Sequence, residues 1–213
     1  MGFFITLEGP DGSGKSTQTS LLAEALRARG YAVLQTREPG GTSIGDQIRA
    51  VIHSLRNVEM HPRTEILLYS ASRAQHVYEA IRPHLARGGV VVSDRYYDST
   101  LAYQGYGHQL DLDALRAITA FATGGLKPDL TLYLDIDVEE GLRRRQGAAR
   151  GGAEWNRMDA LTLNFHRRVR AGYHDLIAAE PERWLVFDAT KPVAALHAEI
   201  VAAVEARLPC PPR

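Results

Sequence analysis

The feature that most constrains this chain is a glycine-rich segment near its start, Gly9-Pro10-Asp11-Gly12-Ser13-Gly14-Lys15-Ser16. The segment has the spacing GxxxxGKS and lies between an apolar run, Phe3 to Leu7, and a helical stretch, Ser16 to Arg29. Glycines let the backbone N–H groups of such a loop approach phosphate oxygens, and the N-terminus of the next helix favours the same anion. The motif in this context predicts a phosphate-binding P-loop.

The side chains of this loop suit a nucleoside triphosphate with magnesium. We expect Lys15 to neutralise charge on the β- and γ-phosphates, and the Ser16 hydroxyl to be a magnesium ligand. The residues predicted to hold ATP here are Gly9, Pro10, Asp11, Gly12, Ser13, Gly14, Lys15, Ser16 and Thr17.

A second signal is the acid that ends a strongly apolar run, Val90 to Ser93. A carboxylate at Asp94 can reach the magnesium of the P-loop directly or through water, although an acid after a strand can equally be a helix N-cap. Arg95 follows at once and can hold a second phosphate bidentately. A kinase needs that second phosphate site, whereas a hydrolase of free nucleotide does not.

Short apolar runs alternate with amphipathic stretches along the whole chain, which is typical of strand–helix–strand units around a parallel sheet. This pattern predicts an α/β fold. The predicted strands are Phe3 to Leu7, Ala32 to Gln35, Val90 to Ser93, Leu130 to Leu134 and Trp184 to Phe187. The clearest predicted helices are Ser16 to Arg29, Thr64 to Arg87, Asp111 to Ala122, Asp159 to Ala179 and Val193 to Leu208.

The length of 213 residues fits one domain. We expect that domain to cover residues 1–208, with a mobile loop from Gln146 to Ala153 and a Pro-rich tail at 209–213.

Composition narrows the classes of function. Lys plus Arg and Asp plus Glu both number 25, so no overall field favours nucleic acid or an anionic membrane. The lone Cys210 cannot form an intrachain disulfide, and no apolar run approaches the ~20 residues that span a bilayer. We therefore expect a cytoplasmic protein with small-molecule substrates and neither a nucleic-acid nor a membrane partner.

Several separated motifs together resemble bacterial thymidylate kinases over nearly the whole chain. They are the P-loop with its internal Asp11, Thr36-Arg37-Glu38-Pro39-Gly40-Gly41, Leu68-Tyr69-Ser70-Ala71-Ser72-Arg73, and the run from Asp94 to Gly105. The resemblance implies a P-loop nucleoside monophosphate kinase fold, with a five-stranded parallel sheet, helices on both faces and a small lid. It also implies a homodimer that uses ATP and Mg²⁺ to convert dTMP to dTDP, a step in dTTP synthesis.

The resemblance assigns roles to the acceptor-side residues. Arg37 and Arg95 would grip the acceptor phosphate, and Asp11 would approach the 3′-hydroxyl and the metal region. Tyr69 and Arg73, four residues apart on one helix face, would meet thymine by stacking and by donation to a base carbonyl. Tyr103 would crowd the ribose 2′ position and Gln104 would read the base edge. The pocket residues implied are Asp11, Arg37, Tyr69, Arg73, Arg95, Ser99, Thr100, Tyr103 and Gln104.

Phosphoryl transfer also needs a cation over the transferring group. In one branch of the family an arginine follows the P-loop acid, but here that residue is Gly12. The other branch supplies the arginine from a lid, and this chain has Arg143-Arg144-Arg145 and Arg150. We expect a lid at about 143–156, with Arg150 catalytic beside Asp11, Lys15 and Arg95, and with Arg143 on ATP. Which lid arginine reaches the phosphates stays open.

The sequence departs from the family after the lid. Asn156-Arg157-Met158-Asp159 stands where the family more often has Asp-Arg, an apolar residue and Glu. Asp159 could position metal or cap its helix, and we favour the cap.

Three competing functions fit a P-loop. One is a kinase for another nucleoside monophosphate or a deoxynucleoside, against which the base-pocket residues argue. A GTP-binding switch expects Asn-Lys-x-Asp, which the chain lacks. An ATP-binding module without turnover, such as a nucleic-acid motor fragment, expects a basic face interleaved with aromatics, which the sequence does not show.

Overall fold

The architecture was obtained as a computed structural model, which describes residues 2–152 and 155–209. Within these residues the strands are β1 Phe3–Glu8, β2 Val33–Arg37, β3 Val90–Asp94, β4 Leu130–Asp135 and β5 Trp184–Asp188. They form one sheet in the order β2-β3-β1-β4-β5, and every neighbouring pair is parallel. The predicted five-stranded parallel sheet is confirmed.

Helices connect the strands. They are α1 Lys15–Ala28, α2 Ser43–His53, α3 Pro62–His76, α4 Arg82–Ala86, α5 Tyr97–Thr100, α6 Leu112–Thr123, α7 Val138–Arg150, α8 Leu163–Ala179 and α9 Val193–Glu205. Two π-helical segments, Val77–Ile81 and Leu101–Gly107, continue α3 and α5. None of the helices in the described part of the chain is long and apolar enough to cross a bilayer.

Alternation along the strands divides the core into two layers, because successive side chains of a strand point to opposite faces. Ile5 and Leu7 of β1 pack with Leu22 of α1 and Ile200 of α9 on one face. Phe4 lies on the other face, in a cluster with side chains of α3, α6 and α8. The sheet is therefore covered by helices on both faces, as predicted.

Two predicted stretches differ from the structure, and parts of the predicted loop and tail lie outside the described residues. The stretch Thr64 to Arg87 is interrupted by the π-helical segment before Pro83, whose ring nitrogen has no hydrogen to donate to a helical carbonyl. Residues 146–150 continue helix α7 instead of forming a loop, because Ala and Arg favour helix more than the one internal glycine opposes it. Ala153 and residues 210–213, part of the predicted loop and tail, lie outside the described residues.

The prediction that Asp159 caps a helix is wrong. Helix α8 begins at Leu163, and the Thr162 side chain accepts from the backbone N–H of Phe165. The Asp159 carboxylate instead accepts from Arg145 and from the backbone N–H of Asn156. Its acceptor capacity is engaged elsewhere, so the next hydroxyl along the chain serves as the cap.

Strand register determines where the predicted site lies. Leu7 of β1 and Arg37 of β2 both pair with Asp94 of β3. The carboxyl ends of three adjacent strands therefore meet at one edge of the sheet, where open parallel sheets bind ligands.

Candidate functional site

A cleft of about 500 Å³ opens at this edge. Its walls come from the P-loop, the ends of β2 and β3, helices α3, α5 and α7, and the segment that follows α5. The predicted site residues that line it are Asp11, Gly12, Gly14, Lys15, Ser16, Thr17, Arg37, Tyr69, Arg73, Asp94, Arg95, Ser99, Thr100, Tyr103 and Gln104. The fold thus brings most of the predicted donor and acceptor residues into one cavity.

The P-loop has the geometry that phosphate binding requires. Gly12 has φ of +78°, and a Cβ there would lie 1.9 Å from the Gly141 carbonyl oxygen, so only glycine fits. Gly14, also at positive φ, is the N-cap of α1, whose first N–H groups face the loop. The buried Lys15 ammonium donates to the carbonyl oxygens of Gly9 at 3.0 Å and Pro10 at 2.7 Å.

Burial and the nearby Arg95 cation lower the pKa of Lys15 to about 8. A phosphate chain placed in the loop would supply negative charge and favour the protonated form of this lysine. The cradle and its cation therefore fit a nucleoside triphosphate.

Oxygen ligands suitable for Mg²⁺ lie beside the cradle. The Ser16 hydroxyl donates to Asp94 Oδ2 at 2.5 Å. The alternative role of Asp94 as a helix cap is wrong, because Tyr96 occupies the N-cap position of α5. Among the described residues no group of three or more His, Cys, Asp or Glu could hold a metal. A cation at Ser16 and Asp94 would therefore complete its shell with phosphate oxygens and water.

Arg95 is the centre of the polar network. It adopts φ of +72°, which non-glycine residues seldom do. Its guanidinium donates to Asp11 Oδ1 at 2.6 Å, to the Tyr103 hydroxyl at 3.0 Å and to Ser99 Oγ at 3.0 Å. Burial acts to raise the pKa of Asp11, but the cations of Arg95 and Lys15 outweigh it and hold that pKa below its usual range. Asp11 is therefore a carboxylate at neutral pH.

A second arginine, Arg37, also lines the cleft. Arg37 ends β2, is half exposed, and contacts Asp46 Oδ1 at 3.2 Å. Arg37 and Arg95 line the same cavity. Two guanidinium groups in one cleft can grip a phosphate dianion from two sides.

The predicted base-binding residues form a third, more buried part of the site. Arg73 of α3 is only 2% exposed, and it donates to Glu38 Oε2 at 2.7 Å and Thr100 Oγ1 at 3.0 Å. Tyr69 lies one turn earlier on α3 and also lines the cleft. Gln104 donates its amide to Glu65 Oε1 at 2.7 Å.

Sequence reasoning missed the carboxylates that hold this site together. Glu8 is fully buried and accepts from the backbone N–H of Tyr96, Ser99 Oγ and the Tyr173 hydroxyl. Burial and the neighbouring Asp98 raise the pKa of Glu8 to about 7. Because Glu8 comes directly before the P-loop in the sequence, its place at the site could have been predicted. The Glu38 and Glu65 contacts span dozens of residues and leave no such local signal.

The four arginines of helix α7 differ in whether they line the cleft. Arg144 and Arg145 line the cleft, with Arg144 bound to Glu140 and Arg145 to Asp159. Arg143 is 72% exposed and binds Glu140, and Arg150 is exposed at the end of α7. Neither Arg143 nor Arg150 is among the residues that line the cleft.

Comparisons with known proteins agree on one family. The family model described as thymidylate kinase matches residues 7–200. A thymidylate kinase of Roseiflexus sp. (strain RS-1) is 57% identical, covering 96% of this chain and 94% of that protein. That of Deinococcus radiodurans is 56% identical, covering 97% and 98%. The crystal structure of thymidylate kinase from Ehrlichia chaffeensis superimposes with a TM-score of 0.76 at 31% identity, covering 95% of this chain and 98% of that one.

Proposed function

This chain belongs to the thymidylate kinase family, and from that premise we propose that its cleft transfers the γ-phosphoryl of ATP to dTMP, giving dTDP and ADP. The observation that supports this most directly is the convergence of three groups in one cavity: the P-loop with Lys15, the arginine pair Arg37 and Arg95, and the buried base-binding residues around Arg73. A donor site, an acceptor-phosphate site and a base site are what such a transfer requires.

The acceptor phosphate would lie between Arg37 and Arg95. It is already ionised at neutral pH, so the transfer needs no general base. Because Asp11, Tyr103 and Ser99 hold the Arg95 guanidinium, this cation is oriented before substrate arrives, which favours in-line attack. Tyr69 would stack on thymine, Arg73 would donate to a base carbonyl, and Tyr103 would crowd a ribose 2′-hydroxyl. Thr100 and Gln104 would complete the base pocket, and Asp11 would approach the 3′-hydroxyl.

On the donor side, residues 9–17 would hold the ATP phosphates. Ser16 and Asp94 would hold Mg²⁺, which neutralises charge on the β- and γ-phosphates when bound. We propose that Arg150 supplies the cation that stabilises the transition state and that Arg143 contacts ATP. Neither lines the cleft, so each would have to reach the phosphates in another arrangement of helix α7.

We propose a homodimer because the chain exposes an apolar surface, the α3–α6 face, made of Leu67, Ala71, Ala74, Tyr78 and Phe121. Tyr78 is 78% exposed and Phe121 is 91% exposed, and α3 packs against α6. Ala71 and Ala74 follow Leu67 by four and seven residues, which places them on one stripe of α3, and Tyr78 follows in the π-helical segment that continues α3. A second copy of this chain would remove this stripe from water. A cytoplasmic location stays a prediction.

The test is a coupled assay of ADP release with ATP and Mg²⁺ against dTMP, dUMP, dCMP, dAMP and dGMP in parallel. We expect turnover mainly with dTMP, and its loss in Lys15→Met. Turnover with a different acceptor would support the kinase activity and refute the assignment of the base-pocket residues. Absence of acceptor-dependent turnover would discard the kinase.

A further inference from the structure

Glu65 of α3 is a fully buried carboxylate to which the proposed mechanism gives no role. Its Oε1 accepts from Gln104 Nε2 at 2.7 Å, and its Oε2 accepts from the Arg157 guanidinium. His108 Nε2 lies 3.3 Å from Oε1. Oε1 therefore faces Gln104 and His108, and Oε2 faces Arg157.

The chemistry of these groups determines which way the Gln104 amide points. An ionised carboxylate can only accept hydrogen bonds, so the amide must turn its NH₂ group to Glu65. The amide carbonyl then points away from Glu65. Gln104 lines the cleft, where the base of dTMP is proposed to bind.

Glu65 keeps its charge despite its burial. Desolvation acts to raise the pKa of Glu65, but the nearby His108 side chain and hydrogen bonds from Arg157 and Gln104 outweigh it and lower that pKa below its usual value. The carboxylate is therefore an acceptor throughout the neutral range, and the Gln104 amide has one stable orientation.

We propose that Glu65 is a specificity-determining positioning residue, which holds the Gln104 carbonyl toward the cleft and thereby selects pyrimidines that carry an N3–H donor. Thymine and uracil have that donor. Cytosine has an unprotonated N3 that can only accept, so it would meet the amide oxygen with a second acceptor and leave both unpaired. This inference rests on the proposed function, which places the base beside Gln104.

Glu65→Gln should reverse the direction of the hydrogen bond between residue 65 and Gln104 while keeping the size and shape of the side chain. In Glu65→Gln, Arg157 can only donate, so the new amide must give its carbonyl to Arg157 and its NH₂ to Gln104. The Gln104 amide then has to rotate, accept from the new NH₂, and present its own NH₂ to the cleft. The variant should therefore favour an acceptor at N3.

The experiment measures Kd of dTMP, dUMP and dCMP by isothermal titration calorimetry on the wild type and on Glu65→Gln. We expect the affinity for dCMP relative to dTMP to rise about tenfold or more, since one lost and one gained hydrogen bond are involved. The affinity for dUMP relative to dTMP should stay within about twofold, because both carry N3–H. Glu79→Gln is the matched control: an exposed carboxylate that also accepts from a glutamine, Gln75, at 2.6 Å. It should change neither ratio.

Two outcomes separate the inference from the proposed function. If the wild type neither binds nor phosphorylates dTMP, the proposed function fails and takes the inference with it. If the wild type does both but Glu65→Gln weakens all three nucleotides equally, Glu65 is merely structural and the inference alone fails.

A second measurement decides the matter if Glu65→Gln does not fold. The wild type should bind dTMP methylated at N3 about tenfold or more weaker than dTMP, and equal affinity would overturn the proposed orientation of Gln104. Glu65→Asp keeps an acceptor-only carboxylate and should preserve the preference for dTMP over dCMP. A shift as large as that of Glu65→Gln would also overturn the proposal.

Discussion

Arg95 Nη2 donates to Asp11 Oδ1 at 2.6 Å, so an acid of the P-loop holds the arginine that follows the third strand. The two residues follow the ends of adjacent strands, β1 and β3, which parallel pairing brings together. The donor and acceptor halves of the proposed reaction are thus joined by an ion pair within the chain itself.

The first prediction concerns the geometry of this arginine. Arg95→Lys should lower kcat/KM for dTMP by about 100-fold or more, because a lysine is a point charge that cannot contact Asp11, Tyr103 and Ser99 while also holding a phosphate. Steady-state kinetics with dTMP varied at saturating ATP measures the loss. Arg116→Lys, an exposed residue paired with Asp113, is the control and should behave as wild type. A loss below threefold in Arg95→Lys would contradict the assigned role.

The second prediction concerns pH and Glu8. Burial and Asp98 raise the pKa of Glu8 from an ordinary value of 4.5 to about 7, so between these two values the native state binds a proton that the unfolded state has released. The free energy of unfolding therefore falls as pH rises through this window. Glu8→Gln lacks the titration, so the wild type should lose stability relative to it from pH 5 to pH 8. Urea unfolding at unit pH intervals checks this, and parallel curves would refute it.

The third prediction concerns the cation. Chelation of Mg²⁺ should abolish turnover, because the negative charge of the donor phosphates would be left without its cation. Asp94→Asn should raise the Mg²⁺ concentration for half-maximal activity about tenfold, since a neutral amide is a weaker ligand for a hard cation. Asp113→Asn, at an exposed position, serves as control. An unchanged magnesium requirement in Asp94→Asn would remove this residue from the metal site.

The fourth prediction concerns the arginines of helix α7. Arg150→Met should lower kcat about 100-fold or more with little change in KM for dTMP, since a cation that acts only on the transferring group stabilises the transition state and not the ground state. Arg144→Met, made in parallel, provides the comparison, because Arg144 already lines the cleft. A large loss of kcat in Arg144→Met with none in Arg150→Met would move the role to Arg144.

The fifth prediction concerns the α3–α6 face. The double variant Leu67→Glu/Phe121→Glu should be monomeric by light scattering under conditions where the wild type is dimeric, because two buried charges on each copy would oppose association. Val193→Glu changes another exposed apolar residue, at the start of α9, and should leave the dimer intact. A wild type that is monomeric at every concentration would reject the dimer.

Local pattern was enough to predict much of this site. The GxxxxGKS spacing marked the loop whose positive-φ glycines form the cradle, and the apolar run before Asp94 marked a strand end. Parallel pairing then brought Arg37 and Asp94 into register. Residues that follow buried parallel strands meet at one edge of a sheet, so their proximity could be inferred without coordinates.

Local pattern failed where a group depends on a distant partner. Asp159 looked like a helix cap but is engaged by Arg145. The four arginines of α7 could not be ranked from sequence, because which of them line the cleft is decided only when the helix packs in place.

By itself, the sequence determined the five strands and their order along the chain, the phosphate loop and the identities of the charged groups at the strand ends, because periodicity and turn chemistry are local properties. Only the tertiary structure decided the partners of the buried acids: Glu8 accepts from Ser99 and Tyr173, Glu38 from Arg73, and Glu65 from Gln104 and Arg157. The ion pair between Glu65 and Arg157 joins residues 92 positions apart. Hydrogen-bond partners of buried charges are set by packing in three dimensions, and separation along the chain carries no information about them.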